Sequence, residues 1–312
     1  MCRFVGDSRG ASLVDRMAGG PISWGVCEVP GWGTQLSVDR VLGEMRDVGF
    51  HATELGAAGW LPDNPAKVKD ILGGFGLQAI AAFIPLVLHD PAQRAATLKY
   101  AEESADLLAS VGATCFVTAV VSDPNDWKHF ALPPDQWKHV FSGLEAVDEI
   151  TAARGIQQVV HPHVDTLVER KDEVELVLAN TAVRFCLDTG HLVIGGTDPL
   201  EFAEAHADRV GHVHLKDVRL DVAARLRDGG LSLMQAVQAG LFTPLGQGNV
   251  ALEGVVTALE GSGYDGWYVF EQDVALSGEP PAGGGPVLGV RVSVDYLRAL
   301  ASKLNPPDRV TN

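Results

Sequence analysis

Short apolar runs alternate with longer segments of helical spacing along almost the whole chain. Gly20–Cys27 (GPISWGVC) reads as a first strand, and Leu36–Val48 as the helix after it, with Thr34 or Ser37 placed to cap its start. Phe50–Leu55, Leu77–Ile84 and Thr114–Val121 are the next strands. The helices between them begin at Asp63 or Asn64 and at Ala92. They end near Gly73–Gly74 and at Gly112, residues suited to helix C-termini. Pro134–Arg154 is a helix with proline in its first turn and Gly155 at its end.

The second half keeps this rhythm. Strands are expected at Ile156–His161, Val183–Asp188, Val210–Leu215 and Gly266–Glu271. Helices are expected over Thr166–Asn180, over Pro199–His206, from Asn249 or Val250 to Gly261, and over Arg291–Leu304. A long segment at about 217–249, with its own helix near Leu231–Ala239, interrupts the seventh unit. Eight strand–helix pairs predict parallel pairing and an α/β fold, a single-domain (β/α)8 TIM barrel over 18–312. Residues 1–17 read as an N-terminal arm. The competing fold is an open doubly wound sheet, which usually carries a glycine-rich phosphate loop after its first strand. Here that position reads GVCEVPGWG.

Composition narrows the function. With 24 basic and 40 acidic residues the net charge is −16, and no Lys/Arg run is visible, so a nucleic-acid partner is not expected. No stretch of 18 apolar residues suggests a membrane span. The four cysteines lie far apart, form no CxxC, and read as free thiols of a cytoplasmic protein. A homo-oligomer is compatible with a barrel of this kind.

In such barrels the chemistry sits at the C-terminal ends of the strands. Strands five to eight end in His161-Pro-His163, Asp188-Thr-Gly-His191, His212-Val-His214-Leu-Lys216-Asp217 and Glu271-Gln272-Asp273. His161, Asp188, His214 and Glu271 are thus N and O ligands at four adjacent tips, a set suited to a divalent ion. Mn2+ and Co2+ lead, with Zn2+, Fe2+ and Mg2+ as further choices. No thiolate is offered at the tips, which argues against a structural zinc cluster. Each residue also has a bland reading: Asp188 as a helix cap, His212 as a satisfied core histidine. His212 and His214 share a face by the period of two, and His214 lies nearer the strand end. Trp24, Trp32 and Trp60 either wall a pocket for a ring or pack within loops. His89 follows the third strand, and Glu54 ends the second.

These positions resemble the xylose-isomerase-like barrel superfamily of sugar isomerases and epimerases. There the ligands come from the ends of strands five to eight, commonly Glu, Asp, His, Glu. Asp188, His214 and Glu271 match the last three, Asp188-x-x-His191 matches the strand-six pattern, and His161 stands where Glu is usual. Within the superfamily, HPH (161–163), VHLKDVR (213–219), FTPLGQG (242–248) and VFEQD (269–273) resemble the inosose (2-keto-myo-inositol) dehydratase group, as do PISWG (21–25) and TELG (53–56).

The resemblance implies a metal-dependent lyase that abstracts a proton alpha to a ketone and expels the beta hydroxyl of a small cyclitol or sugar. Glu271 is then a ligand that also moves a proton. His163 and His191 are acid/base groups or hydroxyl contacts, and Lys216 steadies an oxyanion or pairs with Asp217 or Glu271. Glu54 is a second base or a hydroxyl contact, and Trp24, His89 and Arg219 join it in binding substrate. The alternatives are a keto-sugar isomerase or epimerase working through an enediolate, and a catalytically silent sugar-binding barrel.

Overall fold

The computed structural model describes residues 11–29 and 31–304, so Cys2 and residues 1–10 of the expected arm lie outside it. Eight parallel strands close into a barrel in the order β1, β10, β7, β6, β5, β4, β3, β2. They are β1 (Met17–Gly19), β2 (Ala52–Glu54), β3 (Gln78–Leu86), β4 (Cys115–Val120), β5 (Gln157–Val160), β6 (Arg184–Asp188), β7 (Val210–Leu215) and β10 (Tyr268–Phe270). The TIM-barrel expectation holds.

The outer ring is built from amphipathic helices with clear stops. These include α1 (Val38–Val48), α2 (Pro65–Gly74), α3 (Arg94–Val111), α4 (Pro134–Ala152), α5 (Lys171–Asn180), α7 (Pro199–His206), α10 (Leu252–Gly261) and α11 (Pro286–Leu304). Asn64 caps α2 by accepting from the Lys67 amide at 3.1 Å, and Asp198 caps α7 by accepting from the Leu200 amide at 2.8 Å. Gly49 and Gly112 close α1 and α3 in the left-handed conformation.

The alternation along each strand divides the barrel into floor and site. Ala52, Val159, Cys186 and Val269 belong to one buried apolar cluster inside the barrel. Two residues on, and therefore on the same inward face, stand Glu54, His161, Asp188 and Glu271. The strands thus fill their lower interior with small apolar groups and present ionisable ones at the upper end.

The first strand is displaced from its expected place. Met17–Gly19 pairs with Tyr268–Phe270, whereas the apolar run after it turns into a 3-10 helix at Pro21–Trp24. Pro21 has no N–H for a ladder, and Ser23 replaces it by donating its hydroxyl to the Phe270 carbonyl at 3.1 Å and accepting from the Gln272 amide at 2.9 Å. Val14–Arg16 forms a 3-10 turn ahead of the strand, and the Arg16 guanidinium contacts both carboxylate oxygens of Glu260 at 2.7 Å.

Two helices appear that the pattern did not predict, α6 (Thr189–Gly195) and α8 (Leu220–Arg227). The segment after β7 folds as a small unit: β8 (Asp217–Val218) pairs antiparallel with β9 (Phe242–Thr243), and α8 and α9 (Leu233–Gln238) lie between them. The Asp217 carboxylate ties it together by accepting from the amides of Val218, Gly246, Gly248 and Val250 at 2.8–3.1 Å.

Candidate active site and metal centre

The four expected tip ligands converge. His161 Nε2 lies 3.2 Å from His214 Nδ1 and 3.5 Å from Asp188 Oδ2. His214 Nδ1 lies 3.6 Å from Asp188 Oδ2 and 3.2 Å from Glu271 Oε2. A tetrahedral ion bound at about 2.1 Å would hold its ligand atoms about 3.4 Å apart, so these separations suit one ion. Asp188 shows why its two readings need not compete. Its Oδ1 caps α6, accepting from the Gly190 and His191 amides at 2.8 and 2.7 Å. Its Oδ2 is buried and has no hydrogen-bond partner, the Lys216 ammonium standing 3.4 Å away, so a directly bound cation would satisfy it. Asp188, His214 and Glu271 form a group able to hold a metal ion.

Glu54 sits behind this cluster. Its Oε1 accepts from His212 Nε2 at 2.8 Å and from His214 Nε2 at 2.9 Å. The bond to His214 orients that ring and leaves Nδ1 facing Asp188 and Glu271, the usual arrangement behind a metal-ligating histidine. Burial pushes the Glu54 carboxyl up, but the facing His214 and His212 more than offset it and hold it well below the usual range. His212 is the satisfied histidine that the bland reading foresaw.

Lys216 enters the cluster from the end of β7. Its Nζ lies 2.8 Å from Asp273 Oδ1, 3.0 Å from Glu271 Oε2, 3.1 Å from His191 Nε2 and 3.4 Å from Asp188 Oδ2. Its partners are therefore Glu271 and Asp273, not Asp217. Burial disfavours the ammonium, yet Asp188, Asp273 and Glu271 outweigh it and keep Lys216 charged. Burial raises the Glu271 carboxyl, and His214 and Lys216 bring it down to about 2. His163 stacks on His191 with ring centroids 3.7 Å apart, and its Nδ1 lies 2.7 Å from the Val164 carbonyl. Burial, with His161 and Lys216 nearby, pushes His163 down to about 3, so it is neutral.

These groups open into a cavity of about 400 Å3. Glu54, His161, His163, His214, Lys216, Glu271 and Asp273 give it a polar end. Phe83, Trp127 and Trp32 are among its apolar walls. Gly20 is needed for close approach: a Cβ there would stand 2.6 Å from Glu271 Oε1.

Three expected substrate contacts lie elsewhere. Trp24 is fully buried, does not line the cavity, and donates its indole N–H to Glu44 at 2.8 Å. His89 packs edge-on against Phe130 with centroids 5.7 Å apart, outside the cavity. Arg219 pairs with Asp221 at 2.7 Å on the surface. Conversely, Asp273, Phe83 and Trp127 line the cavity and were not singled out by sequence. Asp273 had a signal, its place two residues beyond Glu271 on the same face; Trp127 lies in a loop without periodicity and had none.

A closed parallel barrel with a polar cluster of this kind at its C-terminal end defines a class. The chain belongs to the xylose isomerase-like TIM barrel family, whose model matches residues 42–300, and it is an enzyme. Among curated relatives it is 29% identical to an inosose dehydratase of Geobacillus kaustophilus, over 91% of this chain and 94% of that protein. It is 31% identical to the inosose dehydratase of Geobacillus thermodenitrificans, over 82% and 90%. It is also 33% identical to the rhizopine catabolism protein MocC of Rhizobium meliloti, over 85% and 83%. An L-ribulose 3-epimerase structure shares the fold, with a TM-score of 0.68 at 17% identity over 93% of this chain and 95% of that one. No helix of the described residues is long and apolar enough to cross a membrane.

Proposed function

We propose that this enzyme is a metal-dependent dehydratase acting on an inosose-like cyclic keto-polyol. The observation that carries the reading is the convergence of His161, Asp188, His214 and Glu271, with Asp188 Oδ2 buried and without a hydrogen-bond partner. The curated relatives named inosose dehydratase support the substrate class. A divalent ion held by those four residues, Mn2+ or Co2+ first, would supply Lewis-acid stabilisation of negative charge on the ketone oxygen.

The chain's own groups do the rest. The ketone makes its alpha C–H acidic, and the Glu271 carboxylate takes that proton. As the C–O bond breaks, an Nζ–H of Lys216 passes its proton to the beta hydroxyl, which leaves as water, and Asp273, 2.8 Å from Nζ, holds the resulting amine in place. Neutral His163 accepts from a ring hydroxyl. Glu54 keeps His214 oriented through its Oε1, which two imidazoles occupy. Walls such as Phe83 and Trp127 exclude water from the ring face.

The epimerase alternative needs two carboxylates acting on opposite faces of the substrate. Here one of those positions is His161. Product analysis separates the two, since only dehydration creates a conjugated enone. Glu271→Gln tests the assignment: turnover falls at least 100-fold and bound metal decreases. Retention of both would remove Glu271 from the site.

A further inference from the structure

The catalytic cavity does not end at its mouth. An open groove of about 910 Å3 adjoins it, and Cys27, Glu28, Ala57, Pro124 and Asn125 line both. The groove lies between the loop after β2 and the start of α3. Trp60 and Tyr100 contribute aromatic surface, and Gln35, Gln93 and Ser37 place amide and hydroxyl groups among them. Trp60 is fixed in place: its indole N–H donates to the Leu36 carbonyl at 3.1 Å, and Gly56 packs so closely on its ring that a Cβ there would stand 3.1 Å away. Tyr100 is 42% exposed, so its ring is available to a ligand. Glu28 is the sole charged side chain among the described lining residues, and no Lys or Arg offers a partner for phosphate or carboxylate.

Aromatic faces mixed with amides and hydroxyls, without a cation, suit an uncharged polyhydroxylated ring: the C–H face lies on the aromatic surface and the hydroxyls meet the amides. We propose that the outer groove is a glycosyl subsite, so that the enzyme accepts a keto-polyol carrying an uncharged sugar substituent. This rests on the reading of the inner cavity given above.

Binding of unreactive probes tests it without turnover. Neither myo-inositol nor galactosyl-myo-inositol has a ketone, and calorimetry of the metal-loaded enzyme reads their affinities directly. The galactoside should bind at least tenfold more tightly than myo-inositol. Tyr100→Ala should erase that advantage while leaving myo-inositol affinity and inosose turnover within twofold of wild type. Trp60→Phe, which keeps a ring in place, should reduce the advantage without abolishing it. Equal affinities in the wild type, absence of binding by both probes, or an advantage that survives Tyr100→Ala would overturn the subsite. Inosose turnover, measured separately, decides the dehydratase reading whichever way the probes behave.

Discussion

Glu54→Gln probes the least obvious part of the site. Glu54 is 4% exposed and its Oε1 serves two imidazole donors, His212 Nε2 at 2.8 Å and His214 Nε2 at 2.9 Å. The amide keeps the shape and one acceptor oxygen but removes the charge. His214 then loses the anion that holds its Nε2–H and aims Nδ1 toward Asp188 and Glu271. The partner behind a metal-ligating histidine is typically worth about 10–100-fold in metal affinity or activity. That range corresponds to about 1.4–2.8 kcal/mol. Because one carboxylate serves both rings, the upper half of the range is expected. Competition titration of Mn2+ or Co2+ against a chelating dye gives the affinity, and circular dichroism checks the fold. A folded variant binding within threefold of wild type would refute the claim that Glu54 acts through His214 on a metal.

Three further outcomes follow from the packing and charge described above. Gly20→Ala puts a Cβ 2.6 Å from Glu271 Oε1, so kcat should fall at least tenfold with little change in Tm; unchanged kcat would mean Glu271 is free to move. Asp217→Ala strips four backbone amides of their acceptor and should cost on the order of 3 kcal/mol in urea unfolding, with a loss under 1 kcal/mol counting against its role. His129 Nε2 lies 2.7 Å from Glu173 Oε1, and this bond raises the histidine above its ordinary 6.5. Burial raises Glu173, but the bond to His129 leads the interactions that bring it below 4.5. The histidine's contribution is full below about 6.5 and is lost as pH rises through its raised folded value; the carboxylate's is full above about 4.5 and is lost as pH falls. The Tm difference between wild type and His129→Gln should therefore be larger at pH 5.5 than at pH 9, and a difference that does not shrink at pH 9 would exclude the ion pair.

The sequence made the barrel and its ionisable strand tips legible because both depend on local period. Alternation placed His161, Asp188, His214 and Glu271 at the ends of adjacent strands, and the structure brings them together. Glu54 was legible as a strand end but not as the support of two histidines, since that contact spans about 160 residues of chain. Trp24 misled because a tryptophan near a strand end reads equally as pocket wall or packing; a buried acceptor, Glu44, settles it. β1 was misplaced because the apolar run at 20–27 is longer than the three-residue strand before it, and Pro21 turns that run into a 3-10 helix. Asp217 carries no periodic signal, as its partners are loop amides nearly 30 residues away or more, apart from the adjacent Val218.

The central claim is that the clustered imidazoles and carboxylates at the strand ends perform metal-dependent dehydration. Metal-stripped enzyme is mixed with scyllo-inosose and followed in the near ultraviolet, and Mn2+ or Co2+ is then added back. The account predicts no absorbance change without metal and growth of the enone band on its return. Stoichiometric metal binding without an enone band, or an enone band that forms equally well without metal, would contradict it.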